Sequence, residues 1–115
     1  MGVNYDGRVF RSSAAETADA TGSGPVGHYH QKDDLVWAEF AGGKVVHGSL
    51  VGRCADDGVL DLVYCQRLHD GSLVTGRCRS TPEVLPDGRI RLREDWERLG
   101  PHAATGVSYI VEVSP

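Results

Sequence analysis

The chain has 115 residues, is 40% hydrophobic and 24% charged, and carries a formal net charge of −4. That size supports one domain around one core, and the acidic balance excludes non-specific nucleic-acid binding, which needs a basic surface. No apolar run approaches the roughly 18 residues of a membrane-spanning helix, and the three cysteines, Cys54, Cys65 and Cys78, cannot all pair within one chain. Together with an N-terminal stretch that lacks signal-peptide features, the odd cysteine count predicts reduced thiols and a cytoplasmic location.

Residues 5–11 read as a short strand or tight hairpin. Residues 12–25 contain no large apolar side chain and are expected to form a mobile loop with one helical turn at Ala14–Ala18. Strands rich in Val, Leu, Ile, Tyr and Trp then follow at 26–32, 35–41, 44–53, 59–68, 72–80, 89–98 and 104–113. They are separated by short turn signals: Asp33-Asp34, Gly42-Gly43, Asp56-Asp57-Gly58, Asp70-Gly71, Asp87-Gly88 and Gly100-Pro101. With the N-terminal strand this makes eight, and no helix longer than two turns is expected. The predicted fold is all-β: residues 1–115 as a single antiparallel up-and-down β-barrel, whose closure removes both sheet edges.

Period-2 alternation assigns the faces. Leu60, Leu62, Tyr64 and Gln66 share one face, as do Val74, Gly76, Cys78 and Ser80, and again Ile90, Leu92, Glu94 and Trp96. The arginines at 77, 79, 91 and 93 fall on the opposite, outer face, where cross-strand ion pairs are the default. A two-residue turn at Asp87-Gly88 would pair odd positions with even ones. Inward Ser80 and inward Ile90 then disagree by one residue, and a bulge or bend at Ser80-Thr81-Pro82 is expected to absorb the difference.

The interior so defined is not purely apolar. Tyr29-His30-Gln31 and Tyr64-Cys65-Gln66 repeat one pattern, and alternation puts Tyr29, Gln31, Tyr64, Gln66, Cys78, Ser80, Glu94 and Trp96 in the lumen. These groups either satisfy one another in a filled core or line a pocket for one small molecule. A carboxylate between Leu92 and Trp96 should hold its proton more tightly than usual. Gln66, Tyr29 or Tyr64 is its expected partner. Glu94 and Tyr64 are the candidate acid or base residues; Tyr29, Gln31, Gln66, Cys78, Ser80 and Trp96 are candidate ligand contacts. His28 and His30 have metal-ligand spacing on one face, but no third ligand accompanies them, so no metal and no cofactor are expected. Cys78 reads as a buried, inert thiol.

The order His28-Tyr29-His30-Gln31, Gly48-Ser49-Leu50-Val51-Gly52, Tyr64-Cys65-Gln66, Gly76 to Glu83 and Asp87 to Trp96 resembles a family of small bacterial proteins that carry the label N-acetylglutamate synthase. The resemblance covers residues 5 to about 112. The activity in that label would need a longer α/β domain with a Gly-rich turn at a helix N-terminus, and the sequence supplies neither. The architecture is similar to calycin-type barrels, which include lipocalins, fatty-acid carriers and small cyclases of bacterial secondary metabolism. What the resemblance implies is a small-molecule-binding barrel whose partner is a small apolar or amphipathic molecule. The alternative it implies is a cofactor-independent cyclase or isomerase acting on a ligand held in the lumen. A third reading is a filled barrel acting through its surface or as a homodimer.

Overall fold

The computed structural model describes residues 3–114. Eight strands follow in chain order: β1 (Val9–Ser12), β2 (Val26–Lys32), β3 (Leu35–Gly42), β4 (Val45–Cys54), β5 (Leu60–Leu68), β6 (Leu73–Val84), β7 (Ile90–Leu99) and β8 (Ala104–Glu112). Each pairs antiparallel with the next, and β1 also pairs with β8, so the sheet closes into the expected up-and-down barrel. A single-turn 3-10 helix, Gly100–His102, links β7 to β8.

Three hairpins share one turn chemistry. Between β6 and β7 the Leu85 N–H donates to the Arg89 carbonyl at 2.8 Å, and Asp87 Oδ1 accepts the Arg89 N–H at 3.1 Å. Gly88 sits at φ +88°, which a residue with a Cβ rarely adopts. Asp57-Gly58 and Asp70-Gly71 repeat the arrangement between β4 and β5 and between β5 and β6. Such a three-residue loop pairs positions of equal parity. Val84 therefore stands opposite Ile90, and Ser80 opposite Glu94.

The bulge expected at Ser80-Thr81-Pro82 does not form, because the two-residue turn that required it does not form. β6 runs on through Pro82, which pairs with Leu92. The pairing with β5 ends at Ser80, opposite Leu60, so beyond it the strand has a partner on one side only, where a residue without an N–H is tolerated. Register shifts fall instead between Phe40 and Gly42 and between Val45 and His47.

The alternation holds. Leu60, Leu62 and Leu92 are buried and Trp96 half-buried, whereas Arg77, Arg79 and Arg93 are exposed. Arg91 is half-buried because its guanidinium lies over the outward ring of Tyr109, 5.0 Å from the centroid. Outside, Arg77 pairs with its cross-strand neighbour Glu97 at 2.8 Å and Arg91 with Glu83 at 2.8 Å.

The packed core fills one end of the barrel. It joins Val36, Leu60, Ile90, Leu92 and Ile110 to an aromatic cluster of Tyr5, Phe10 and Tyr29, with the Phe10 and Tyr29 rings edge-to-face at 5.0 Å. Fully burying a leucine is worth about 1.5–3 kcal/mol. Of the short strand or tight hairpin expected over residues 5–11, the strand begins at Val9, while Tyr5 precedes a turn at Asp6-Gly7 and plugs the barrel end. Its hydroxyl donates to the Gly58 carbonyl at 2.6 Å, and its N–H donates to Gln31 Oε1 at 2.9 Å. Arg8 Nη1 reaches both oxygens of buried Glu112, at 2.9 and 3.1 Å, and the Ile90 N–H donates to Glu112 Oε1 at 3.1 Å.

At the opposite end residues 13–25 pack against the barrel more closely than their composition suggests. The expected helical turn is present, with Ala18 N–H donating to the Ala14 carbonyl at 3.2 Å. Thr17 is buried, and its carbonyl accepts the Lys44 N–H at 2.8 Å.

Candidate functional site

Between the core and the 13–25 loop the barrel is hollow. The cavity is walled by Tyr29 (β2), Phe40 (β3), Leu50 (β4), Leu62, Tyr64 and Gln66 (β5), Cys78 (β6), Glu94, Trp96 and Arg98 (β7), and Ser108 and Ile110 (β8). Ala14, Glu16 and Thr17 of the loop stand at its mouth. The cavity volume is about 130 Å³. That is several times the ~10–15 Å³ a cavity needs to admit one water, so the lumen has room for a few waters or one small organic molecule. This is smaller than the ~300–1,000 Å³ of drug-sized pockets.

Glycines keep the lumen open. Tyr64 stands directly opposite Gly76, Trp96 opposite Gly106, and Phe40 opposite Gly48. In each pair the aromatic side chain occupies the space a Cβ on the glycine would need. A Cβ at Gly106 would lie 2.4 Å from Trp96 Cζ2, and one at Gly76 would lie 2.5 Å from the Tyr64 hydroxyl oxygen. The rings thus lie against the wall instead of projecting across the lumen, a cross-strand arrangement that glycine permits and alanine would not.

The chemistry concentrates at Glu94. Its Oε2 accepts the Ser80 hydroxyl at 2.7 Å and the Cys78 thiol at 3.5 Å. Both donors come from β6, and Ser80 is the direct cross-strand partner. Burial pushes the Glu94 carboxyl above the ordinary carboxylate range, and the bonds from Ser80 and Cys78 offset this only in part. Burial also pushes up the Cys78 thiol, and the facing Glu94 charge adds to the shift, so the thiol stays protonated and donates. Burial raises Tyr29 as well, reinforced by Glu94, and raises Tyr64, where Arg98 opposes the shift. Both phenols are therefore neutral donors at neutral pH. Arg98 sits nearer the mouth with its guanidinium 5.8 Å from the Trp96 ring centroid. It forms no salt bridge among the described residues.

This closed barrel, hollow at one end with polar groups converging on an aromatic lumen, has a counterpart among known families. A family model described as Avidin-like protein matches residues 3–113. The chain belongs to the avidin-like protein family. No curated protein and no solved structure matches it.

In this avidin-like barrel the structure brings six of the sequence-named residues to the cavity wall: Glu94, Tyr64, Tyr29, Gln66, Cys78 and Trp96. Ser80 lies one step below the wall, fully buried, and supports Glu94 from beneath. Gln31 is not brought to the cavity. Its carboxamide is spent at the closed end, accepting from Tyr5 and donating to the Asp33 carbonyl at 2.9 Å. The expected partners of Glu94 were Gln66, Tyr29 or Tyr64; its hydrogen bonds go to Ser80 and Cys78 instead, because ladder neighbours on β6 are nearer than groups across the lumen. His28 and His30 face outward, and His30 stacks on Trp37 with centroids 5.4 Å apart.

Sequence reasoning passed over Phe10, Phe40, Leu50, Arg98 and Ser108 of the wall. The inward parity of β7 extends from Trp96 to Arg98 and could have flagged the arginine. The wall glycines carry a signal only once the strand register is known.

Proposed function

We propose that the protein binds one small amphipathic molecule in the barrel lumen. The observation that carries this reading is the cavity itself: about 130 Å³, walled by aromatic and aliphatic side chains, with Glu94, Gln66, Tyr64 and Arg98 converging on it. Membership of the avidin-like family supports it, since small eight-stranded barrels of the lipocalin and streptavidin kind hold one small ligand. The polar groups orient the ligand, and the rings supply most of the contact area. Holding a proton on Cys78, Tyr29 and Tyr64 suits recognition by hydrogen-bond donation.

The test is a thermal-shift screen of small amphipathic compounds, with biotin, which streptavidin holds tightly, among them. A ligand at about 100 times its Kd stabilises the fold by roughly 2.7 kcal/mol. Ser108 lines the cavity opposite Glu94, so Ser108→Leu should abolish the shift while leaving a folded barrel. A panel that raises the melting temperature of neither protein, or of both equally, would remove the lumen as the binding site.

A further inference from the structure

Glu94 is an acid with only half of its carboxylate satisfied. Oε2 takes both hydrogen bonds, from Ser80 at 2.7 Å and Cys78 at 3.5 Å, while Oε1 takes none among the described residues. Its side chain borders the cavity. The groups facing it are neutral: Cys78 and Ser80 from β6, Ser108 from β8, Tyr29 from β2 and Tyr64 from β5. The charged groups of the same cavity, Arg98 on β7 and Glu16 on the loop, stand toward the mouth, and the outward Asp95 is paired with Arg93 at 3.4 Å. A half-buried carboxylate without a counter-charge is less favourable than one in water, and a cation that reaches it from the cavity offsets that penalty. The same cavity offers the rings of Tyr29, Tyr64 and Trp96, whose faces attract cations.

We propose that Glu94 makes the lumen selective for ligands carrying a protonated amine, with the ammonium donating to Oε1 among Tyr29, Tyr64 and Trp96. This deepens the lumen-binding reading and rests on it. Burial raises the proton affinity of Glu94, so the unliganded carboxyl keeps its proton to a higher pH than the same carboxyl beside an ammonium. Binding an ammonium then ionises the carboxyl: the proton leaves to solvent, and the ligand's N–H groups donate to the carboxylate in its place. Affinity therefore rises with pH through the titration of Glu94 and falls again where the amine itself loses its proton.

The experiment uses three probes of matched size: 2-phenylethylamine, 2-phenylethanol and phenylacetate. Each is titrated calorimetrically into the full chain near pH 7.5 in two buffers of different ionisation enthalpy. The expected result is at least tenfold tighter binding of the amine than of the alcohol or the acid, with proton release seen for the amine alone. Glu94→Gln should erase both the preference and the proton release. If that variant fails to fold, the pH dependence of amine binding to the unmodified chain decides the matter, and a flat profile between pH 5 and 8 overturns the proposal. Equal binding of all three probes overturns amine selectivity and leaves the lumen reading standing. Tighter binding of phenylacetate overturns it in favour of Arg98 as the charged contact. Binding of none overturns both.

Discussion

Gly106→Ala tests the hollow lumen most directly. A Cβ at this position would stand 2.4 Å from Trp96 Cζ2, 2.8 Å from Cε2 and 3.0 Å from Cη2. Carbon atoms rest at about 3.5–4.0 Å, so the indole must retreat by roughly 1 Å. The wall lies behind it, and the direction left is the lumen. Overpacking of this kind costs about 1–3 kcal/mol. For a domain of this length, at roughly 4 °C per kcal/mol, the melting temperature should fall by roughly 4–12 °C. The second tryptophan, Trp37, is on the outer surface, so a Trp37→Phe background leaves Trp96 as the sole indole reporter. Gly106→Ala in that background should shift the Trp96 emission and weaken any lumen ligand at least tenfold. A variant with unchanged melting, unchanged emission and unchanged binding would refute the argument that the ring lies against the glycine.

The closed and open ends yield further expectations. Because burial holds the Glu94 proton, the folded state binds it more tightly than the unfolded chain, and this group's contribution to stability falls as pH rises from about 4.3 through the folded value. Glu94→Gln should therefore melt close to the unmodified protein near pH 4 and above it near pH 8; melting curves showing the reverse order would mean that the carboxylate is compensated. Arg8→Ala leaves the buried Glu112 carboxylate with the Ile90 N–H as its one remaining donor among the described residues, which should cost on the order of 3 kcal/mol in urea unfolding. A loss below about 0.5 kcal/mol would place this ion pair with ordinary surface pairs.

What was legible in the sequence, and what was not, divides along one physical line. Turn residues and period-2 alternation report which face a side chain occupies, and they are local. So the eight strands, the closed order and the inward positions of Leu60, Leu62, Leu92, Glu94 and Trp96 could be read directly. Height along the barrel and the identity of the ladder neighbour depend on register, which is set by loop length. Taking Asp87-Gly88 as a two-residue turn instead of part of a three-residue one produced a bulge that does not exist. Lack of register also hid Ser80 as the neighbour of Glu94, left Gln31 at the wrong height, and concealed the pairs Tyr64–Gly76 and Trp96–Gly106. The role of Tyr5 was hidden because an aromatic before Asp6-Gly7 looks like any strand or hairpin residue. Its role as a plug follows from a hydrogen bond to Gly58, 53 residues away.

Stability and binding occupy opposite ends of this barrel, and that separation can itself be tested. At the closed end the Tyr5 hydroxyl, Glu112 and Ser80 all have partners, and Tyr5 and Ser80 have no exposed surface. At the open end, among the described residues, Glu94 Oε1 accepts no hydrogen bond and Arg98 forms no salt bridge. Tyr5→Phe removes a buried 2.6 Å hydrogen bond and orphans the Gly58 carbonyl while keeping the ring packed, a loss of about 1–2 kcal/mol. It should lower the melting temperature and leave lumen affinity unchanged. Ser108→Leu should do the opposite, removing affinity with little change in melting. Distant sites without shared partners add within about 0.5 kcal/mol, so the double variant should show the sum of the two stability changes. Coupling well beyond that value, or a loss of affinity in Tyr5→Phe alone, would mean that the plug and the pocket form one cooperative unit, and that the lumen is shaped from the closed end.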